Sequence, residues 1–253
     1  MSRLRVLSID WDFLVNATLE QRMMLFPDCC NERYPSYLQD VIWSSRYAFN
    51  FNRDNELEQI SVDNEALEAL KNYISRTCDK TTFCTVWDSH TNLYYEILSR
   101  FKGTGSLKIV NVDFHHDMYS SEIDEVDCGN WVTFLYEGKN NYTSSRTRKP
   151  NSKDSYVWVA REDSDALEES KDYMSIKSIY DLENSEDEKF DLLFICRSSM
   201  WSPPHLDDEF EKLCSWVNCN ITRAEMNLTS SRYTDSFRKH VKELKSSMSN
   251  TTK

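Results

Sequence analysis

The chain has 253 residues, 40% of them apolar and 28% charged, with a formal net charge of −12. That length suits one large α/β domain or two small ones, and the apolar share is enough for a real core. The acidic balance argues against a nucleic-acid partner, whose phosphates it would repel, and favours a cationic one.

The chain opens with "MSRLRVLSID", which lacks the long apolar core of a signal peptide. Nowhere does an apolar run approach the ~20 residues of a membrane helix, so the expectation is a cytoplasmic chain with no membrane partner. "LRVLSID" (4–10) has the length and composition of a buried strand. "SVDNEALEALKNYISRT" (61–77) predicts a helix capped by Ser61 or Asp63, with Ala66, Leu67, Leu70 and Ile74 at helical spacing. Strand "TFCTVW" (82–87), helix "TNLYYEILSRF" (91–101) and strand "LKIVNVD" (107–113) follow. Residues 138–155 are polar and locally basic and read as a mobile loop. Then come strands "SYVWVA" (155–160) and "FDLLFIC" (190–196), and helix "HLDDEFEKLCSWV" (205–217).

Strands alternating with helices imply an α/β fold, a three-layer αβα sandwich around a largely parallel central sheet. We expect one domain over residues 1–240 and a flexible tail over 241–253. With only four glycines and no GxGxxG or P-loop, a nucleotide cofactor is not indicated. None of the eight cysteines forms a C-x-x-C pair, so they read as core thiols of a reducing compartment rather than zinc ligands.

Three predicted strands end in metal-ligand chemistry. The first ends in Asp10-Trp11-Asp12, the second in Trp87-Asp88-Ser89-His90, and the third in Asp113-Phe114-His115-His116-Asp117. Ligands of open parallel sheets bind beyond the carboxyl ends of strands. In an extended segment residues i, i+2 and i+4 face one side, which would bring Asp113, His115 and Asp117 together and likewise Asp10 and Asp12. His116 would alternate away. A lone D-x-D is commonly a solvated turn, and a lone histidine such as His90 a satisfied core residue. The three segments together are hard to explain as surface chemistry. Carboxylates this close cannot all ionise without a cation among them, and four aspartates with two histidines suit a divalent ion such as Mn²⁺.

These segments resemble signatures of the arginase and deacetylase superfamily. "VDFHHD" resembles its D-x-H-x-D motif, "LSIDWDF" its S-x-D-x-D motif and "VWDSH" the segment carrying its first histidine ligand. The S-x-D-x-D piece comes first here, an order that resembles a permuted arginase-related family whose bacterial members include peptide arginases. "DCGNWV" (127–132) and "FDLLFICRSSMWSPPHLD" (190–207) resemble later motifs of that family. The resemblance implies an arginase-like fold and a binuclear centre with two Mn²⁺ per chain. Asp113 and Asp10 would bridge the ions, His90 and Asp117 would complete one, and His115 and Asp12 the other. It further implies hydrolysis of peptidyl arginine to ornithine and urea, a post-translational modification of a ribosomally made precursor peptide.

Asp113, His115, Asn130 and Glu162 are the catalytic candidates. Asn130 lies in the segment resembling the family's "CGNW" motif and could position substrate. Glu162 and Asp163 follow a strand and could hold a guanidinium in plane. Arg197 follows another strand and could pair with a site carboxylate. A competing reading is a phosphatase of the haloacid dehalogenase type, with Asp10 as nucleophile and Asp12 as acid and base. A deacetylase with one zinc, or a non-catalytic binding protein on an arginase-like fold, are further alternatives.

Overall fold

The computed structural model describes residues 3–26, 34–49, 55–101, 105–119, 125–139, 148–164, 171–183, 185, 188–217, 219–223 and 231–251. Strand β1 (Arg3–Asp10) opens the chain and tightens into a 3-10 turn over Trp11–Leu14. A short strand β2 (Val15–Asn16) and helices α1 (Leu19–Leu25), α2 (Ser36–Phe49) and α3 (Glu56–Gln59) follow. Strand β3 (Ser61–Val62) pairs antiparallel with β2 and leads into α4 (Asn64–Thr77). Alternation then sets in: β4 (Phe83–Trp87), α5 (Thr91–Arg100), β5 (Ser106–Val112), α6 (Trp131–Tyr136) and β6 (Ser155–Val159). The remainder comprises β7 (Met174–Lys177), α7 (Ile179–Glu183), β8 (Leu192–Cys196), α8 (Asp207–Trp216), β9 (Asn220–Arg223) and α9 (Asp235–Thr251).

Among the described residues, seven strands form one sheet in the order β7-β6-β5-β1-β8-β4-β9. Every neighbouring pair is parallel. Buried on both faces, the central strands are apolar nearly throughout, as parallel sheets require. Their alternation still sorts side chains between two cores. Leu7, Ile9, Val110, Val112, Leu193 and Ile195 pack under α2, α4, α8 and α9, against Trp43, Leu70, Phe210 and Phe237. Val6, Ile109, Leu192 and Phe194 pack on the other face, against Leu93 and Ile97 of α5 and Trp131 and Leu135 of α6. The expected three-layer αβα arrangement is therefore the observed one. No helix among the described residues is long and apolar enough to cross a membrane.

All five expected strands form in this sheet, its two unexpected strands sit at its edges, and the short β2 and β3, also unexpected, pair apart from it. β7, "MSIK", is only half-buried and too short to show a period. Residues 140–147 of the expected mobile loop lie outside the described residues, whereas Arg148 is buried and ion-paired with Asp154. The expected flexible tail differs from the structure. α9 runs on to Thr251, and Val241 joins Phe237 in the core. Its buried apolar residues are so few that the sequence reads as polar throughout.

Register places the functional ends. Ile9 pairs with Val112, and both Asp10 and Trp87 pair with Cys196. β5, β1 and β4 thus all terminate at one rim, with β8 between β1 and β4. Asp63 anchors α4 beneath that rim: one carboxylate oxygen accepts from Ala66 N at 3.0 Å and the other pairs with Arg161 at 3.2 Å. Asp63→Ala is expected to lower unfolding stability by about 1 kcal/mol, the usual cost of a lost helix cap, as read by chemical denaturation. An unchanged midpoint would show that the cap contributes nothing.

Candidate metal centre

Three segments leave the rim, and each places its ligands by a turn rather than by extension. At the end of β1, Asp10 Oδ1 accepts from Asp12 N at 3.1 Å, so the 3-10 turn swings Asp12 beneath the sheet end. Beyond β5, Asp113 Oδ1 accepts from His115 N at 2.9 Å, and Asp117 adopts a left-handed conformation with φ of 55°. Such a conformation in a non-glycine residue costs free energy and persists where the surroundings impose it, commonly at functional sites. His90 occupies the position just before α5, its ring stacked on Phe194 at 5.7 Å and tilted against Trp131 at 5.1 Å. Convergence by alternation along extended segments, expected from the sequence, is thus replaced by convergence through tight turns.

The six expected ligands come together. His90 Nδ1 lies 3.2 Å from Asp10 Oδ2, 3.1 Å from Asp113 Oδ2 and 3.1 Å from Asp117 Oδ2. His115 Nδ1 lies 3.1 Å from Asp12 Oδ2 and 3.8 Å from Asp113 Oδ1. Asp10, His90 and Asp113 form one triad of ligand atoms, and Asp12, Asp113 and His115 a second. Asp113 belongs to both, whereas Asp10 joins the first alone, so shared ligation through Asp10 is not reproduced by these triads.

The spacing fits a metal ion. Donor atoms about 2.1–2.2 Å from one ion, at right angles to each other, lie about 3.0–3.1 Å apart. That is the edge length found around His90 Nδ1. Both oxygens of Asp12 are buried and lack a hydrogen-bond partner among the described residues. Buried polar atoms are normally satisfied, and apart from the facing His115 imidazole at 3.1 Å these oxygens are left available to coordinate an ion. These buried aspartates and histidines could therefore hold a metal ion.

A surrounding set of donors orients the ligands. Ser8 Oγ lies 2.7 Å from His90 Nε2. If it accepts the Nε2 proton, the Nδ1 lone pair is left facing the carboxylates. Asn111 Nδ2 donates to Asp113 Oδ2 at 3.1 Å, Trp158 Nε1 donates to the Asp113 carbonyl at 2.9 Å, and Trp131 Nε1 donates to Asp117 Oδ2.

Arg22, on α1, is a member of the site that sequence reasoning missed. It is buried, and its guanidinium donates to the carbonyls of Asp12, Val15 and Ala17 at 2.7, 2.8 and 3.2 Å. The guanidinium also stacks 3.8 Å from the Phe114 ring and sets Nη1 3.9 Å from Asp12 Oδ2. It ties the Asp12 turn to the segment after β5. Nothing in "LEQRMML" marks it, because all these partners are tertiary.

Other candidates fall outside the cluster. Asn130 is buried, but its amide is engaged in its own loop, accepting from Asp127 N at 2.8 Å and donating to Glu125 O at 3.1 Å. Glu162 is exposed on the loop after β6, and Asp163 pairs with Arg161 at 3.0 Å. His116 turns away from the cluster: its Nδ1 accepts from Met118 N at 2.9 Å and its ring packs against Tyr119 and Trp158. Arg197 pairs with Asp88 at 3.1 Å, two residues before His90, rather than with a ligand.

The electrostatics of the cluster follow from its burial and its close-set charges. Burial, then the neighbouring carboxylates, push Asp10 and Asp113 up to about 7. Burial alone would lower His115, but the facing Asp12 carboxylate raises it to about 10. Burial would raise Asp12, yet His115 and Arg22 hold it below the usual range. Groups whose folded pKa is raised contribute stability at low pH and lose it as pH rises through that value. The metal-free chain should therefore lose thermal stability as pH climbs from about 5 to about 8, while Mn²⁺, displacing those protons, should bind more tightly over the same range. Melting curves with chelator and with Mn²⁺ read both trends, and a metal-free midpoint that is flat or rising would contradict them. Ser8→Ala should weaken metal binding by about one to two orders of magnitude with the fold intact; wild-type affinity in a calorimetric titration would remove Ser8 from the site.

Comparison with family models, with curated proteins and with solved structures found no match to this chain.

Proposed function

We propose that the chain is a binuclear manganese hydrolase of the arginase type that converts peptidyl arginine to ornithine with release of urea. The observation that supports it most is the sharing of Asp113 between two Asp-Asp-His triads. The motif resemblance at the same residues supplies the reaction class. Carboxylate oxygens in excess over imidazole nitrogens favour Mn²⁺ over zinc. Two such ions would supply Lewis acidity and a water acidic enough to lose its proton near neutral pH.

The chain's own groups have defined tasks in that reading. Asp10, Asp113, Asp117 and His90 would hold one ion, and Asp12, Asp113 and His115 the other. Ser8 fixes the His90 tautomer, and Asn111 and Trp131 keep the carboxylates of Asp113 and Asp117 turned inward. Arg22 keeps Asp12 ionised and holds its turn in place. The motif order resembles the peptide-modifying branch, and peptide contacts away from the reacting group can be used to place the guanidinium. The phosphatase alternative needs Asp12 to exchange a proton with a leaving group. Asp12 is fully buried against His115 and Arg22, which disfavours it.

Incubating arginine-containing peptides with Mn²⁺-loaded protein should lower peptide mass by about 42 Da per converted residue and release urea. Asp113→Asn should abolish both while the circular dichroism of the fold is kept. Two bound ions with no mass change on any arginine peptide would sink the hydrolase reading. Where turnover occurs, kcat/KM should be higher for an internal arginine than for the free amino acid. Equal or better turnover of free arginine would remove the peptide half and leave the metal centre standing.

A further inference from the structure

The metal centre is not equally closed on all sides. The side chains of Asp10, Asp12, His90, Asp113 and Asp117 are at most 4% exposed, whereas His115 is 18% exposed. Among the ligands, then, only His115 meets the outside. Beside it stands Trp201, its ring centre 4.8 Å from the imidazole and tilted by 56°, itself partly exposed. Any molecule that approaches the cluster past His115 meets the Trp201 ring.

The segment that carries Trp201 is held with unusual firmness. Ser198 takes a left-handed φ of 52°, a strained setting for serine. Its carbonyl accepts from Trp201 N at 2.8 Å and Ser202 N at 3.0 Å, closing the turn. Ser202 Oγ donates back to the Arg197 carbonyl at 2.7 Å, and Arg197 N donates to Trp87 O at 2.9 Å. The Ser199 carbonyl accepts from Trp43 Nε1 at 2.8 Å and Arg232 Nη1 at 2.6 Å, while Arg232 also grips the Ser202 carbonyl at 2.9 Å. Asp207 anchors Arg232 in turn, at 2.8 and 2.6 Å. Strain persists where the surroundings over-determine it, and here the surroundings are Arg197, Arg232, a buried tryptophan and three serines. A turn so fixed holds its tryptophan in one place.

We infer that Trp201 is the wall of a binding site for a planar guanidinium cation at the mouth of the metal centre. The ligand class rests on the arginase-type reading above; the wall rests on the geometry. An indole face attracts a cation, and a flat guanidinium stacks on it as well. The chain's formal net charge of −12 also favours a cation over a neutral group. A neutral ureido group of the same shape gains neither attraction. Trp201 thereby separates arginine from its uncharged isostere, a task that the ligands, engaged with metal, do not perform.

The test measures binding of N-acetyl arginine amide and N-acetyl citrulline amide to the full chain stripped of metal, where no turnover consumes the probe. Wild type should bind the arginine probe more tightly than the citrulline probe. Trp201→Leu should weaken the arginine probe by about tenfold and leave the citrulline probe unchanged, and Trp201→Phe should keep most of the affinity. Two ions taken up by Trp201→Leu when Mn²⁺ is returned would show that the substitution has not disturbed the centre. The inference is overturned if wild type does not prefer the arginine probe, a result that depends on no variant folding. It is also overturned if Trp201→Leu binds as wild type, or if both probes weaken equally. Returning Mn²⁺ and assaying urea keeps the two ideas apart. Preferential binding without urea would sink the hydrolase and spare the wall, while urea release unaffected by Trp201→Leu would do the reverse.

Discussion

Asp113 lies where the two ligand triads meet, at 1% exposure, within reach of three other carboxylates. Four carboxylates in that volume repel one another and have lost most of their hydration, so the cluster can exist only with compensation built around it. The fold supplies that compensation from every direction. Asn111 and Trp158 fix Asp113 from its own strand and the next, Trp131 reaches Asp117 from α6, and Arg22 comes from α1. Besides the Arg22 guanidinium, the His90 and His115 imidazoles face the four carboxylates and are held towards their protonated form, while Asp10 and Asp113 are pushed up to about 7. A metal ion held by these groups would take the place of those protons.

Much of this was legible in the sequence, for reasons that can be named. The five inner strands are apolar runs bounded by polar residues, because a parallel sheet covered on both faces needs side chains buried on both. The edge strands β7 and β9 are four residues each and obey no such demand. The six candidate ligands were legible because charge at the end of a buried strand has no structural excuse. Their geometry was not: D-x-D and D-x-H-x-D read as extended segments, yet the 3-10 turn at Trp11–Leu14 and the left-handed Asp117 bring the groups together. Asn130 lies beside the site in sequence and spends its amide on its own loop.

Arg22 and Arg232 show what one sequence cannot carry. Both arginines serve turns through backbone carbonyls, although Arg232 is also held by the Asp207 carboxylate, 25 residues away in the chain. Arg22 serves the carbonyls of the Asp12 turn, and Arg232 those of Ser199 and Ser202. Carbonyl acceptors leave no residue-type trace, so such a contact is invisible until the chain is folded. The two arginines flank the centre in the same manner, each holding a segment that departs from a strand end. Arg22 fixes a ligand turn and Arg232 the turn that presents Trp201.

The order of the motifs along the chain also follows from the sheet. In a parallel sheet every carboxyl end lies at one rim, so ligands from any strands can meet there, provided the strands are close in space. Spatial order here is β5, β1, β8, β4, while chain order is β1, β4, β5, β8. The D-x-D segment comes first in the chain and yet sits centrally, beside the strand that carries Asp113 and one strand removed from the one that leads to His90. β8 fills the gap between them, ending in Cys196 level with Asp10 and continuing into Arg197 and the turn with Trp201. The order in which the chain visits these strands therefore costs the site nothing. What the site requires is adjacency of β1 and β5, since Asp113 must reach both triads, and it is this pair that carries the longest parallel register in the sheet, from Arg3 opposite Ser106 to Ile9 opposite Val112.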